Sequence, residues 1–89
     1  MVERNLAVIN RLGLHARAAA KLVHAAGTFT SQIYLAKDGE EVDAKSILGI
    51  LLLAAAQGSE VKLRCEGEDE REALEAISGL FADRFGEES

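Results

Sequence analysis

Glu60-Val61-Lys62-Leu63-Arg64-Cys65-Glu66 alternates without a break between charged and apolar side chains. Successive side chains of a β-strand point to opposite faces, so Val61, Leu63 and Cys65 share one face and the four charged residues share the other. Such a strand is half buried, and a sheet built from strands of this kind needs cover on one side only.

The flanking sequence supplies both the partner strands and the cover. Upstream, Ile33 and Leu35 face one way and Tyr34 the other, and Asp38-Gly39 is a turn pair suited to the positive backbone angles of a tight hairpin that returns through Val42. Leu6 and Val8 alternate within Asn5 to Ile9, which predicts a first strand ending in the loop Asn10-Arg11-Leu12-Gly13. Helical spacing replaces alternation in three places. An Ala-rich segment from Ala16 to Ala26 carries Leu22, Val23 and Ala26 on one face, with Gly27 placed to stop it. Ser46 is placed to cap a second helix running to about Gln57, with Gly58 beyond it. Asp69 and Glu72 have capping-box spacing ahead of the longest helix, whose apolar stripe Leu74, Ile77, Phe81 and Phe85 continues almost to the end. Only the tail Gly86-Glu87-Glu88-Ser89 reads as frayed. The order β-α-β-β-α-β-α with half-buried strands predicts an α+β fold: a two-layer sandwich whose antiparallel sheet is covered on one side by helices.

At 89 residues the chain is expected to be one domain, 1–89, since a second core could hardly be closed with so few residues. Aromatics make up only 4% of it, which leaves the core to Leu, Ile, Val and Ala. A net charge of -5 repels nucleic acid and anionic lipid, so no nucleic-acid role and no membrane insertion are expected. The N-terminus MVERNLAV carries charges where a signal peptide is apolar, and the longest apolar run, Ile47 to Ala56, is shorter than the roughly 18 residues of a membrane span. A cytoplasmic location follows as the expectation. One cysteine, Cys65, makes neither an internal disulfide nor a thiolate zinc site, and no metal or organic cofactor is implied. Cys65 falls on the apolar side of its strand and reads as a small core residue.

Chemistry concentrates in Asn10 to Val23, NRLGLHARAAAKLV, where a Gly-containing loop delivers His15 and then Arg17 at the start of a helix. A helix N-terminus has unpaired N–H groups and partial positive charge, so it stabilises an anion such as a phosphoryl group. The same field disfavours a protonated imidazole, which suits His15 as a nucleophile, and Arg17 can neutralise phosphoryl oxygens. On spacing alone, an ordinary loop histidine beside a solvated arginine would look the same. The second informative segment is the helix Ser46 to Ala54, which is apolar all round although a two-layer domain buries only one of its faces. With Ile50 and Leu53 inward, Ile47, Leu48 and Leu51 form an exposed patch suited to a protein partner, unless neighbouring elements cover it.

These residues carry a resemblance. Asn10-x-x-Gly13-Leu14-His15-Ala16-Arg17, with Lys45-Ser46-Ile47-Leu48-Gly49-Ile50 and a strand ending Glu66-Gly67, resembles the HPr family of histidine-containing phosphocarriers of the bacterial phosphoenolpyruvate phosphotransferase system. The match runs over nearly the whole chain. It implies an open-faced β-sandwich with three helices on one face of a four-stranded antiparallel sheet. It also implies that His15 takes phosphate at Nδ1 from phosphorylated Enzyme I, assisted by Arg17. The protein would pass the group to sugar-specific or regulatory acceptors, as a monomeric carrier and not an enzyme. Ser46 matches a serine that an HPr kinase/phosphorylase phosphorylates in some bacteria. Ala18 and Ala20 depart from the family's usual Pro and Ser or Thr, and the missing Pro is expected to loosen the loop slightly. Ala20 and His24, on the first helix, join Ile47, Leu48 and Leu51 in the expected partner-binding set. The segment Leu80 to Phe85 also resembles the nitrogen-related regulatory branch. The competing reading from another class is a non-catalytic, ferredoxin-like ligand- or partner-binding module in which His15 is incidental. Glu68 to Glu72 are read as charges favourable at a helix N-terminus and not as catalytic carboxylates.

Overall fold

The computed structural model describes all 89 residues. Four strands, β1 (Val2–Ala7), β2 (Gln32–Lys37), β3 (Glu40–Asp43) and β4 (Glu60–Glu66), form one antiparallel sheet in the order β1-β4-β2-β3. Three helices, α1 (Ala16–Gly27), α2 (Ile47–Leu52) and α3 (Glu70–Ala82), complete the expected order, and a 3-10 turn follows at Arg84–Gly86. β4 lies between β1 and β2. Its register sets Leu63 opposite Leu35 and Cys65 opposite Ile33, so the apolar rows of β2 and β4 merge into one buried face. Leu22, Ala26, Ile50, Ile77 and Phe81 of the helices pack onto that face. On the open face the Arg64 guanidinium lies 4.3 Å from the centre of the Tyr34 ring and pairs with Glu41 at 2.7 Å and Glu66 at 3.1 Å. Asp38 and Gly39 both take positive φ, 52° and 85°, as the tight hairpin between β2 and β3 requires. No helix is long and apolar enough to cross a membrane.

Four boundaries differ from the sequence reading. β1 begins at Val2 because Val2 pairs with Cys65 of β4, and it ends at Ala7, although Val8 remains buried. Thr28, not a left-handed Gly27, caps α1, with its hydroxyl donating to the Ala25 carbonyl at 2.7 Å. α2 stops at Leu52, well short of Gln57: Leu53 and Ala55 turn into the core, and Ala54 between them takes a φ of 49°. The freed Ala55 carbonyl accepts the Leu14 N–H at 2.9 Å, so this irregular segment braces the loop before α1. The fourth difference is the tail, which does not fray and is taken up with the site.

Asp69 sits at the N-cap of α3 but does not cap it. Its carboxylate instead crosses to the α1–β2 connection, accepting the Thr30 and Ser31 N–H groups, each at 2.9 Å, and the Ser31 hydroxyl. Glu70 meets the chain ahead of α3, taking the Gly67 N–H at 3.1 Å. The Ser31 hydroxyl first, and the Thr30 N–H next, hold the Asp69 carboxyl at about 2, against 3.8 when free. A carboxylate whose pKa falls on folding stabilises the native state above its unfolded pKa, and that contribution is lost as pH drops through the folded value. Asp69→Asn is therefore expected to lower the urea midpoint at neutral pH and to flatten its decline between about pH 4 and pH 2, measured by circular dichroism. An unchanged acid limb would remove Asp69 from the acid response.

Candidate functional site

The loop between β1 and α1 is held from several sides. Asn10 is fully buried and donates from Nδ2 to the Gly13 carbonyl at 2.8 Å, while the Gly13 N–H returns to the Asn10 carbonyl at 3.1 Å. Gly13 has φ 66°, and a Cβ there would lie 2.5 Å from the Ala55 carbonyl oxygen. Glycine is required both for the angle and for the close approach. Leu14 is buried, and the next residue, His15, becomes the N-cap of α1 with extended backbone (φ -76°, ψ 179°).

Capping orients the imidazole. The Arg17 N–H donates to His15 Nδ1 at 3.3 Å, so this nitrogen faces the unpaired N–H groups of the helix start. The first turn is closed by the Ala19 N–H on the His15 carbonyl at 2.8 Å, with Ala18 fully buried. The His15 side chain is 25% exposed. Arg17 is exposed and belongs to none of the ion pairs. Arg11, Arg17 and Lys21 line one side of an open depression of about 470 Å³, and the chain from Gly86 to Ser89 lines the other.

The tail is the part of the site that the sequence reading missed. Arg84, Phe85 and Gly86 take φ values of 54°, 55° and 76°, which turns the chain back towards the loop before α1. Phe85 is buried with its ring 4.9 Å from that of Phe81, and its carbonyl accepts a hydrogen bond from Lys21 Nζ. The Arg11 N–H donates to the Ser89 carbonyl at 3.0 Å. Between these anchors Glu87 receives Asn10 Nδ2 on Oε1 at 3.0 Å and meets His15 Nε2 with Oε2. The Asn10 hydrogen bond first, and that of His15 second, lower the Glu87 pKa below the usual carboxylate range. The only signal in the sequence was charge complementarity between Glu87-Glu88 and a loop and helix carrying Arg11, Arg17 and Lys21.

Ser46 is the N-cap of α2, its Oγ accepting the Gly49 N–H at 3.1 Å. Ile50 and Leu53 point inward, whereas Ile47, Leu48 and Leu51 are exposed, joined by Leu52 and by Leu12 of the His15 loop, which the sequence reading left out. Ala20 and His24 are both exposed on α1. Cys65 is buried on the core face, and desolvation raises its thiol pKa, as suits a packing residue.

An open-faced sheet, helices on one side and a histidine nitrogen presented at a helix N-terminus define the phosphocarrier class of fold. The chain matches the family model for the PTS HPr component phosphorylation site over residues 2–83, and it belongs to that family. It is 53% identical over 87 residues, 98% of each chain, to the phosphocarrier protein HPr of Cupriavidus necator. A crystal structure of HPr from Thermoanaerobacter tengcongensis superposes with a TM-score of 0.97 at 48% identity, covering all of both chains. A second structure from that organism, described as an HPr dimer, matches at 0.79 and 48% identity, covering 98% of this chain and 100% of the other. Monomeric state is thus not a constant of the family. Membership makes this chain a phosphocarrier of the phosphotransferase system and displaces the ferredoxin-like binding module.

Proposed function

We propose that this protein accepts a phosphoryl group on His15 Nδ1 from phosphorylated Enzyme I and passes it to sugar-permease components or regulatory acceptors, acting in the cytoplasm as a stoichiometric carrier and a monomer. The observation that carries the reading is the Arg17 N–H on His15 Nδ1, since it directs that lone pair into the helix N-terminus. A phosphoryl group formed there has its oxygens in the field of α1 and beside a guanidinium with no other ion partner. Nδ1 attacks phosphorus with its lone pair and the bond from phosphorus to the donor breaks with its electrons going to the donor; the acceptor's nucleophile then attacks the same phosphorus and the phosphorus–Nδ1 bond breaks, its electrons returning to Nδ1.

Incubation with phosphoenolpyruvate and Enzyme I tests this. The expected product is an acid-labile phosphohistidine mapping to His15, and no labelling under conditions that label a known HPr would refute the reading. Arg17→Ala is expected to slow transfer roughly 10- to 100-fold, below the 10²–10³ typical of a lost transition-state donor because Arg17 is exposed. Wild-type rates in that variant would make Arg17 a bystander.

We assign the partner surface to Ile47, Leu48 and Leu51 with Ala20 and His24, and regulation to Ser46. A phosphoserine at the N-cap of α2 would add about -1.5 to -2 charge next to an apolar patch, raising the desolvation cost of docking without opposing the helix. Ser46→Asp keeps a capping oxygen and is expected to slow His15 phosphorylation several-fold. Ser46→Ala loses about 1 kcal/mol of capping yet should transfer at the wild-type rate. Equal rates for all three, with no modification of Ser46 by an HPr kinase, would leave only the capping role.

A further inference from the structure

Glu87 is held too specifically for a residue of a loose tail. Its side chain is only 12% exposed, and each carboxylate oxygen has its own partner, Asn10 Nδ2 on Oε1 and His15 Nε2 on Oε2. Asn10 is itself fully buried and oriented by its second donation, to the Gly13 carbonyl at 2.8 Å. The backbone on either side is tied down, at the Phe85 carbonyl by Lys21 and at the Ser89 carbonyl by the Arg11 N–H. Three successive left-handed residues, two of them not glycine, are needed to bring the chain there. Backbone of this kind persists only where surrounding packing enforces it, here the burial of Phe85.

We infer that Glu87 is a positioning residue for phosphoryl transfer, holding His15 in the tautomer that has a proton on Nε2 and a bare Nδ1. The inference rests on the carrier reading for its consequence and on geometry for its substance. A ring nitrogen that accepts the Arg17 N–H carries no proton, and a carboxylate oxygen facing Nε2 requires one there. When Nδ1 takes the phosphoryl group, the donor keeps the electrons of the broken bond and no proton leaves the ring. The imidazole therefore gains one positive charge, and the Glu87 carboxylate lies against it. The carboxylate engages the nitrogen that does not react, so it supports the nucleophile and does not cap it.

The test uses the full chain labelled with ¹⁵N, as wild type, Glu87→Gln and Glu87→Ala, each checked for folding by circular dichroism. In the wild type the ring ¹⁵N shifts should report a pyridine-like Nδ1 and a protonated Nε2. Glu87→Gln, whose amide oxygen can still accept a hydrogen bond from Nε2–H but carries no charge, should keep that tautomer. Glu87→Ala should give a mixture of tautomers. Phosphorylation by Enzyme I should fall about tenfold in Glu87→Ala and less in Glu87→Gln, the size usual for loss of a residue that orients a functional imidazole. An unchanged tautomer in Glu87→Ala, or equal or faster transfer by both variants, would overturn the inference, the faster result making the tail a brake. Failure of the wild type to be labelled at all would count against the carrier reading, while the tautomer measurement would still decide the role of Glu87.

Discussion

His15→Ala is expected to abolish phosphoryl acceptance while leaving the protein folded. Transfer needs a nitrogen lone pair at the start of α1, and the cations of the adjoining depression, Arg11, Arg17 and Lys21, can hold an anion but do not supply that nucleophile. The other histidine, His24, lies nine residues further along α1 and is no substitute. The structural loss is small because the imidazole is a quarter exposed and belongs to no apolar cluster. What disappears is the contact with Glu87 and one cap on α1, the cap worth roughly 1 kcal/mol, which in a domain of this size lowers Tm by about 4–8 °C. Glu87 keeps its hydrogen bond from Asn10. Label incorporation and a thermal melt on the same sample check both halves. Residual transfer at the wild-type rate would end the assignment of His15, and an unfolded variant would show that the cap matters more than its exposure suggests.

Phe85→Ala is expected to have the largest effect on stability. The ring is buried against Phe81 in a core otherwise made of aliphatic side chains, and removing a buried Phe side chain typically costs about 3–5 kcal/mol. Small domains are stable by only about 5–15 kcal/mol, and the urea midpoint should fall by about 3–5 M for a slope near 1 kcal/mol per M. A second consequence is local. Left-handed backbone at Arg84 and Phe85 costs on the order of 1–2 kcal/mol per residue, and the buried ring is what offsets it. Without the ring the turn should relax and withdraw Glu87 from His15, seen as faster amide exchange from residue 84 onward and a changed His15 ¹⁵N pattern. A loss below 1 kcal/mol with the tail still protected would show that the Lys21 and Arg11 contacts suffice to hold it.

Most of the architecture was written in local pattern. The alternation at Glu60 to Glu66, the Asp38-Gly39 turn and the stripe Leu74, Ile77 and Phe81 each formed an element where the pattern placed it, whereas Phe85, read as the end of that stripe, lies beyond α3 in a left-handed turn. Ser46 was legible for the same reason, since an N-cap bond spans only three residues. The exposed set Ile47, Leu48 and Leu51 followed from counting faces on a helix too apolar for a two-layer fold.

What escaped depends on contacts between distant parts of the chain. Asp69 has the spacing of a cap, yet it spends its carboxylate on Thr30 and Ser31, about forty residues away, because the α1–β2 connection brings their N–H groups to it. α2 ends early because Ala55 is needed at Leu14, a pairing that no helical propensity encodes. The tail is the clearest case. By itself Gly86-Glu87-Glu88-Ser89 has no period, no apolar residue and no reason to be ordered. The sequence alone determined the sheet, its helical cover and the loop that carries His15. Only the folded chain decided that Glu87 would meet His15, because burial of Phe85 enforces a backbone turn that local preference opposes and so brings the carboxylate 72 residues along the chain to the imidazole.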